Sequence, residues 1–459
     1  MRVSVIGCGH LGVPHATAMA ELGHEVVGVD IDPARVGHLN LGESPIHEPG
    51  LPQLLASHTA SGRLRFTTDF AEAAWFADVH FLAVDTPLDA DGRTYDTGRL
   101  FAAASALASH LSRPCTIIGK STVAVGTTAR LTALVEHIAP DIDIRVVWNP
   151  EFLREGEALE NSLYPDRIIA GVTDAGAEKL IREVYAPLLD AGVPLLVTDP
   201  ATAELAKGAA NAFLGLKISF INAIADMCAA ADADAMTLAA ALVHDSRIGT
   251  AGLRPGLGYG GGCLPKDIRA FTTDAERLGV PEMATLLRTA EQINNARTAR
   301  ALDLIVYALH GKPVRDAAIT IWGAAFKPGT DDVRESPALE LAVRLASAGA
   351  HVRVHDPQAN TTAAARHPEL DYATDLEASC HGADVIVLAT AWPQFRHADP
   401  RALHPLPTEP ILVDLPNDLD PHPWRTAHWT VHQPGRPEAA LPTPPTARPN
   451  DIPDTSAAP

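Results

Sequence analysis

Residues 3–12 read VSVIGCGHLG. A strand-like run meets Gly7, Gly9 and Gly12, and the helical pattern PHATAMAELG follows at once. A lone G-x-G-x-x-G is weak. Here the run EVVGV comes next and ends at Asp30, about twenty residues on, which completes the strand, turn, helix, strand context of a dinucleotide-binding unit. The glycines permit a tight turn and close approach of backbone to a pyrophosphate, whose charge suits a helix N-terminus. A carboxylate at Asp30 accepts hydrogen bonds from a ribose 2′-hydroxyl and repels a 2′-phosphate, so the motif implies NAD rather than NADP.

Outward from this motif, the runs VHFLAV, CTIIGK, RVVWN, RIIAGV and PLLVTD alternate with helical patterns, which reads as a doubly wound parallel sheet. Asp199 and Pro200 look like an N-cap and first turn of a long helix running towards residue 230. The Ala-rich stretch 201–243 is broken by Glu204, Lys207, Asn211, Lys217, Asn222 and Asp226, so it reads as a buried helical segment, not a membrane span. A second α/β block opens with AAITIWG and continues through HVRVHDP, ADVIVLAT and PILVDLPN. It has WGAAFKPGT where the first block has its glycine motif, and should not take a second dinucleotide. The expected organisation is α/β: a Rossmann domain over 1–199, a central helical segment over 200–310, a Rossmann-like domain over 311–432, and a disordered Pro- and Ala-rich tail over 433–459.

Composition narrows the partners. A formal charge of −20 over 459 residues argues against nucleic acid or an anionic membrane. Five scattered cysteines fit a reducing, cytoplasmic setting rather than a disulfide framework, and none of the cysteines or twenty histidines has metal-ligand spacing. MRVSVIG opens on a strand without the regions of a signal peptide.

The stretch PGLGYGGGCLPKD, 255–267, sets Cys263 among glycines. Glycine leaves room for substrate beside the one side chain that remains. A thiol suits a four-electron oxidation: an aldehyde yields a second hydride only after a nucleophile has added to it, and Cys263 can form the thiohemiacetal and then the thioester that water must cleave. Lys207 and Asn211, four apart, share a helix face and can donate to an oxyanion. Glu151 and Glu155 follow the strand RVVWN, where α/β sheets place ligand chemistry, although either can simply pair with Arg154 or Arg167.

The chain resembles the UDP-glucose and GDP-mannose dehydrogenase family in VDIDPARVGHLNLGESPIHEPGL, STVAVGT, NPEFLREGEALENSLYPDRIIAG, AELAKGAANAFLGLKISFIN, HDSRIG, PGLGYGGGCLPKD and AAFKPGTDDVRESPA. The resemblance implies NAD-dependent oxidation of a nucleotide-sugar C6 hydroxymethyl to a carboxylate, with UDP-glucose favoured, by a homodimer formed along the long helix. It gives Lys207, Asn211 and Asp267 the oxyanion and water network around Cys263, Glu151 general-base work in thioester hydrolysis, and Thr122 a catalytic as well as a cofactor contact. Cofactor contacts fall on Gly7, Gly9, Leu11, Gly12, Asp30, Arg35, Thr86, Glu155, Lys266 and Arg334. Substrate contacts fall on Glu151, Phe152, Leu153, Lys207, Asn211, Arg254, Tyr259, Gly260, Phe326 and Lys327, with Arg247 reaching the partner subunit's site. Three departures stand out: Gly262 and Leu264 beside the thiol, Ala391 between Thr390 and Trp392, and no arginine in Asp414-Leu415-Pro416-Asn417, which leaves one diphosphate contact unassigned. GDP-mannose or another UDP-sugar is the alternative substrate. A two-electron 3-hydroxyacid dehydrogenase would share the Lys-x-x-x-Asn pair but needs no cysteine. An NAD-binding regulator would need none of Cys263, Lys207, Asn211 and Asp267.

Overall fold

The computed structural model describes residues 1–436 as two compact units, Met1–Phe213 with Lys266–Arg288, and Leu214–Pro265 with the chain from Thr289 on. Residues 200–310, read above as one central segment, are shared between the two.

In the first unit, eight strands form one sheet: β1 (Arg2–Ile6), β2 (Glu25–Val29), β3 (Leu64–Thr67), β4 (Val79–Leu82), β5 (Cys115–Gly119), β6 (Ile144–Trp148), β7 (Ile168–Gly171) and β8 (Leu195–Thr198). Their order is β3-β2-β1-β4-β5-β6-β7-β8, so the first six strands follow the doubly wound dinucleotide-fold order, with its switch point between β1 and β4. Val3, Val5, Phe81, Ile118 and Val147 are buried on one face, and Ile6, Val27, Leu82, Ile117 and Val146 on the other. Burial on both faces is why these strands read as near-continuous apolar runs. The sheet is not wholly parallel. β7 meets β6 antiparallel through Trp148 and Gly171, because residues 149–167 return as a loop with one short helix, Ala158–Leu163, rather than as a full crossover. Strand β3 went unread because LRFT is short and alternates with polar residues.

In the second unit, β9 (Ala318–Trp322), β10 (His351–His355), β11 (Asp371–Tyr372), β12 (Val385–Leu388), β13 (Ile411–Asp414) and β14 (Thr430–His432) pair parallel in the order β11-β10-β9-β12-β13-β14, the same winding again. Trp322 stacks on Phe395 at 5.3 Å in its core. Neither β11 nor β14 has enough residues to leave a pattern in the sequence.

The helix Pro200–Ala230 starts where expected: Asp199 accepts from the Thr202 N–H at 2.9 Å and its hydroxyl at 2.7 Å. Gly171 lets it lie on β7, since a Cβ there would sit 2.6 Å from the Pro200 Cα. The helix is long and apolar enough to cross a membrane by length and composition, and only 39% of its most apolar window is buried. The reading of a buried segment is corrected accordingly, because Phe213, Phe220 and Met227, seven apart, lie exposed along it.

The expected tail starts too early at residue 433. Gln433 is buried, and its amide donates to Asp414 Oδ2 at 2.7 Å and to the Leu419 carbonyl at 3.0 Å, while the Gly435 carbonyl accepts the Ala235 N–H. Burial raises the Asp414 pKa, and these donors oppose that cost. The rest of the expected tail, from 437, lies outside the described residues. Truncation before Gln433 is expected to lower the melting temperature by about 2–8 °C, the effect of roughly 1–2 kcal/mol lost from a domain of this size. An unchanged melting curve would show that Asp414 needs no such partner.

Candidate active site

The turn after β1 is the candidate cofactor cradle. Gly7 adopts φ +94°, and the Gly7 carbonyl lies 1.7 Å from where a Cβ on Gly12 would be, so the helix Gly12–Glu21 starts in contact with the strand end only because residue 12 has no side chain. Leu11 stands at its N-cap and supplies no side-chain acceptor; the Val13 N–H goes to the Gly9 carbonyl at 3.1 Å and Pro14 has none, which leaves the Gly12 N–H without a side-chain cap for an anion to meet. Asp30 is buried and accepts from the Cys8 N–H at 2.9 Å, the Asp32 N–H at 3.0 Å and Arg35 at 3.1 Å. A carboxylate offers about four acceptor positions, which leaves one on Oδ1 for a ribose hydroxyl. Thr86 Oγ1 donates to the Thr122 carbonyl at 2.7 Å, bringing those two residues together after β4 and β5. Open space at Gly9, where a Cβ would meet only Asp85 Oδ1 at 3.9 Å, and a carboxylate with one position open fit a dinucleotide. Asp30→Ala is expected to narrow the preference for NAD over NADP by roughly tenfold to a hundredfold. The change removes the repelling charge and releases Arg35 for a 2′-phosphate, and kcat/KM measured with both cofactors reads it.

The second sheet shows the contrast. Asp356 follows β10 as Asp30 follows β2, but it accepts from the N–H groups of Ala324, Ala325, Gln358 and Ala359 and from the Trp392 indole. Its acceptor positions are consumed within the fold, and Trp392 of the departing Thr390-Ala391-Trp392 stretch is one of the donors.

Two polar clusters gather the predicted chemistry of the first unit. Lys207, 4% exposed, meets Glu151 Oε1 at 2.9 Å, and Oε2 of the same carboxylate accepts the Leu153 N–H at 2.5 Å. Arg154 pairs with Glu157 and Asp166, and Arg167 stacks on Phe152 at 3.8 Å, so Glu151 keeps Lys207 as its cation. Four residues along the helix, Asn211 Nδ2 donates to Asp267 Oδ2 at 2.6 Å, while Asp267 Oδ1 accepts from Lys266 at 2.7 Å and the Tyr95 hydroxyl at 3.1 Å. One turn before Lys207, buried Glu204 caps the helix Thr127–Ile138, accepting from Gly126 N, Thr128 N and the Thr128 hydroxyl at 2.6–2.7 Å. Glu204, Lys207 and Asn211 thus form one stripe that fixes the first part of the long helix in the first unit. Gly208 on that helix lies against Phe271, with a Cβ position 2.6 Å from the ring. Tyr95 and Glu204 were not read as site residues, since their partners lie far away in sequence. Glu155 follows Glu151 in the same loop, half-buried.

In the second unit the glycines of 255–262 have another use than the one expected. A Cβ on Gly260 would sit 2.2 Å from the Glu335 carbonyl, one on Gly261 2.7 Å from the Phe326 ring, and one on Gly262 2.4 Å from the Arg334 guanidinium. The space they leave is filled by protein, by backbone at Gly260 and at Gly262 by the end of the long Arg334 side chain. Arg334 is held by Asp332 at 2.7–3.0 Å, with its carbonyl accepting the Gly261 N–H. Asn294 holds Tyr259 by N–H and carbonyl together. Lys327 stands beside Phe326, half-buried. Arg254 pairs with Asp418, which also accepts from Arg396 at 2.9 Å, so two arginines converge just past Pro416. Arg247 is exposed and paired with Asp245 of its own loop. Cys263 is exposed at the start of the helix Leu264–Arg277, whereas Cys8, Cys115, Cys228 and Cys380 are buried.

A dinucleotide cradle on one doubly wound sheet, a second sheet of the same winding with its equivalent position closed, and a thiol at a helix start define a dinucleotide-dependent dehydrogenase class. Models of the UDP-glucose/GDP-mannose dehydrogenase family match the chain three times: the NAD binding domain at residues 1–189, the central domain at 201–296 and the UDP binding domain at 320–421. The chain belongs to the UDP-glucose/GDP-mannose dehydrogenase family. It is 40% identical to a UDP-glucose 6-dehydrogenase of Rhizobium meliloti over 91% of this chain and 95% of that protein. It is 39% identical to the UDP-glucose 6-dehydrogenase of Pseudomonas aeruginosa over 96% and 98%. A UDP-glucose dehydrogenase structure from Pyrobaculum islandicum superposes with a TM-score of 0.86 at 37% identity, covering 95% of this chain and 98% of that one.

Proposed function

We propose that this protein is an NAD-dependent UDP-glucose 6-dehydrogenase, taking UDP-glucose, two NAD and water to UDP-glucuronate and two NADH with release of protons. The observation that carries the four-electron reading is the single exposed cysteine, Cys263, at a helix N-terminus that favours negative charge. Gly7, Gly9, Leu11 and Gly12 hold the pyrophosphate, Asp30 the ribose, and Arg35, Thr86, Thr122, Glu155, Lys266 and Arg334 complete the cofactor contacts. NAD, when bound, supplies the hydride acceptor for both oxidations. Cys263 adds as thiolate to the C6 aldehyde, giving a thiohemiacetal, and the second oxidation leaves a thioester on its sulfur. Lys207 and Asn211 donate to the C6 oxygen, and Asp267 keeps Asn211 and Lys266 aimed. Glu151 takes a proton from the water whose oxygen bonds to the acyl carbon, the C–S bond breaks, and the thiolate leaves. Phe152, Leu153, Tyr259, Gly260, Phe326, Lys327 and Arg254 hold the nucleotide sugar.

The same reading makes the enzyme a cytoplasmic homodimer, with Arg247 serving the partner subunit's site. The exposed line Phe213, Phe220 and Met227 supports an interface along the long helix. The internally satisfied Asp356 supports a single dinucleotide per chain. The test is NADH formed per sugar across UDP- and GDP-sugars. Two NADH per UDP-glucose is expected. A ratio of one, or better turnover of GDP-mannose, would overturn the assignment.

A further inference from the structure

Lys120 follows β5 and is 7% exposed, beyond the reach of any role assigned above. Its ammonium donates to the Asn149 side-chain oxygen at 3.0 Å and lies 3.4 Å from both the Asn149 carbonyl and the Tyr185 hydroxyl. Tyr185 donates to the same Asn149 oxygen at 2.6 Å. The Lys120 carbonyl, in turn, accepts the Glu151 N–H at 3.3 Å. One residue therefore holds both ends of the turn Asn149-Pro150-Glu151, by side chain at one end and by backbone at the other. The ammonium also lines a cavity of about 50 Å³ shared with His15, Asn149, Glu151, Asp166, Arg167 and Tyr185.

We propose that Lys120 is a positioning residue for Glu151, whose ammonium fixes the turn that carries the hydrolytic base. The proposal rests on the reading of Glu151 as the base. Burial pushes the Lys120 pKa down from its ordinary 10.5 to about 8, with the Glu151 charge opposing the shift. Of the groups facing it, His15 is held well below its usual value by burial first and the Lys120 charge second, and burial pushes Tyr185 up. Around neutral pH His15 is thus uncharged and Tyr185 protonated, Arg167 remains a cation, and Glu151 and Asp166 are the facing carboxylates. Lys120 is left as the group that titrates on the alkaline side.

The folded state binds fewer protons than the unfolded state between about pH 8 and 10.5, so this lysine burdens the fold fully below that window, and the burden lifts as pH rises through it. A lysine that serves only the fold would therefore be poorly chosen here, since an apolar residue of the same length avoids burying the charge.

Lys120→Met in the full-length enzyme, with UDP-glucose and NAD, is expected to keep a fast burst of two NADH per site. The steady rate after the burst should fall about tenfold to a hundredfold, part of what a general base supplies. Acyl-enzyme should accumulate by intact mass, the alkaline limb near pH 8 should vanish from the steady rate, and the melting temperature at pH 7 should hold or rise. A burst and steady rate that fall together with a lowered melting temperature would reduce Lys120 to a structural part and overturn the proposal. Wild-type enzyme gives a check that needs no variant: its hydrolytic phase should decline near pH 8, and a flat profile to pH 9 would also overturn it. Glu151→Gln run in parallel separates the two readings. If it stalls as acyl-enzyme while Lys120→Met turns over normally, only the present proposal fails; if it does not stall, the base itself is misassigned and the proposal falls with it.

Discussion

Cys263→Ala is expected to lose overall turnover by several orders of magnitude, the scale seen when a covalent nucleophile is deleted, while NAD and UDP-glucose still bind. The reason is chemical: without addition to the aldehyde there is no tetrahedral carbon to give up a second hydride. Cys263→Ser keeps a weaker nucleophile of similar size, but its adduct is an ester that hydrolyses poorly, so this variant should stall with sugar carbon attached to the protein. Intact-mass measurement after incubation with both substrates reads that state. The substitution is expected to leave the fold alone, because the side chain is exposed and the close contacts of the loop belong to Gly260, Gly261 and Gly262. Two NADH per sugar at near-normal rate in Cys263→Ala would return the thiol to a bystander.

Gly12→Ala should do the opposite, damaging the fold and the cofactor site together. Its new Cβ would lie 1.7 Å from the Gly7 carbonyl, which is backbone, so no side chain can swing aside to admit it. The helix would have to leave the strand end, at a cost of about 3–5 kcal/mol, at the upper end for a point substitution. A fall in melting temperature of roughly 10 °C follows for a unit of this size, with NAD binding lost. Gly9→Ala is the control: a Cβ there finds only Asp85 Oδ1, at 3.9 Å, so folding should be kept while the pyrophosphate is crowded out. Wild-type melting of Gly12→Ala would mean that the turn can reshape.

What was legible in the chain was what repeats locally. The glycine motif, Asp30, the start of the long helix, and Lys207 with Asn211 on one face all lie within a few turns of the residues that explain them. What could not be read depends on partners brought in from afar. Tyr95 reaches Asp267 across 172 positions and Glu204 reaches Thr128 across 76, and no periodicity announces either. The glycines around Cys263 were read as room for substrate, but their neighbours Phe326, Arg334 and Glu335 come from a segment with no sequence link to the loop. The antiparallel meeting of β6 and β7 was hidden because an apolar strand carries no mark of its direction. Composition puts Gln433 with the tail, although Asp414 and the Leu419 carbonyl both hold its amide.

The unequal exposure of the five cysteines turns the native chain into its own unfolding gauge. Burial holds Cys8, Cys115 and Cys380 far from the thiolate form, at about 12 for the latter two, and Cys228 is buried as well. A colorimetric disulfide reagent therefore meets one accessible sulfur in the folded protein and five in the denatured one, and the colour yield counts molecules that have opened. A fluorophore can be placed at position 263 without first stripping the other cysteines from the sequence. Slowing of that labelling by bound nucleotide sugar then gives an affinity for variants that no longer turn over.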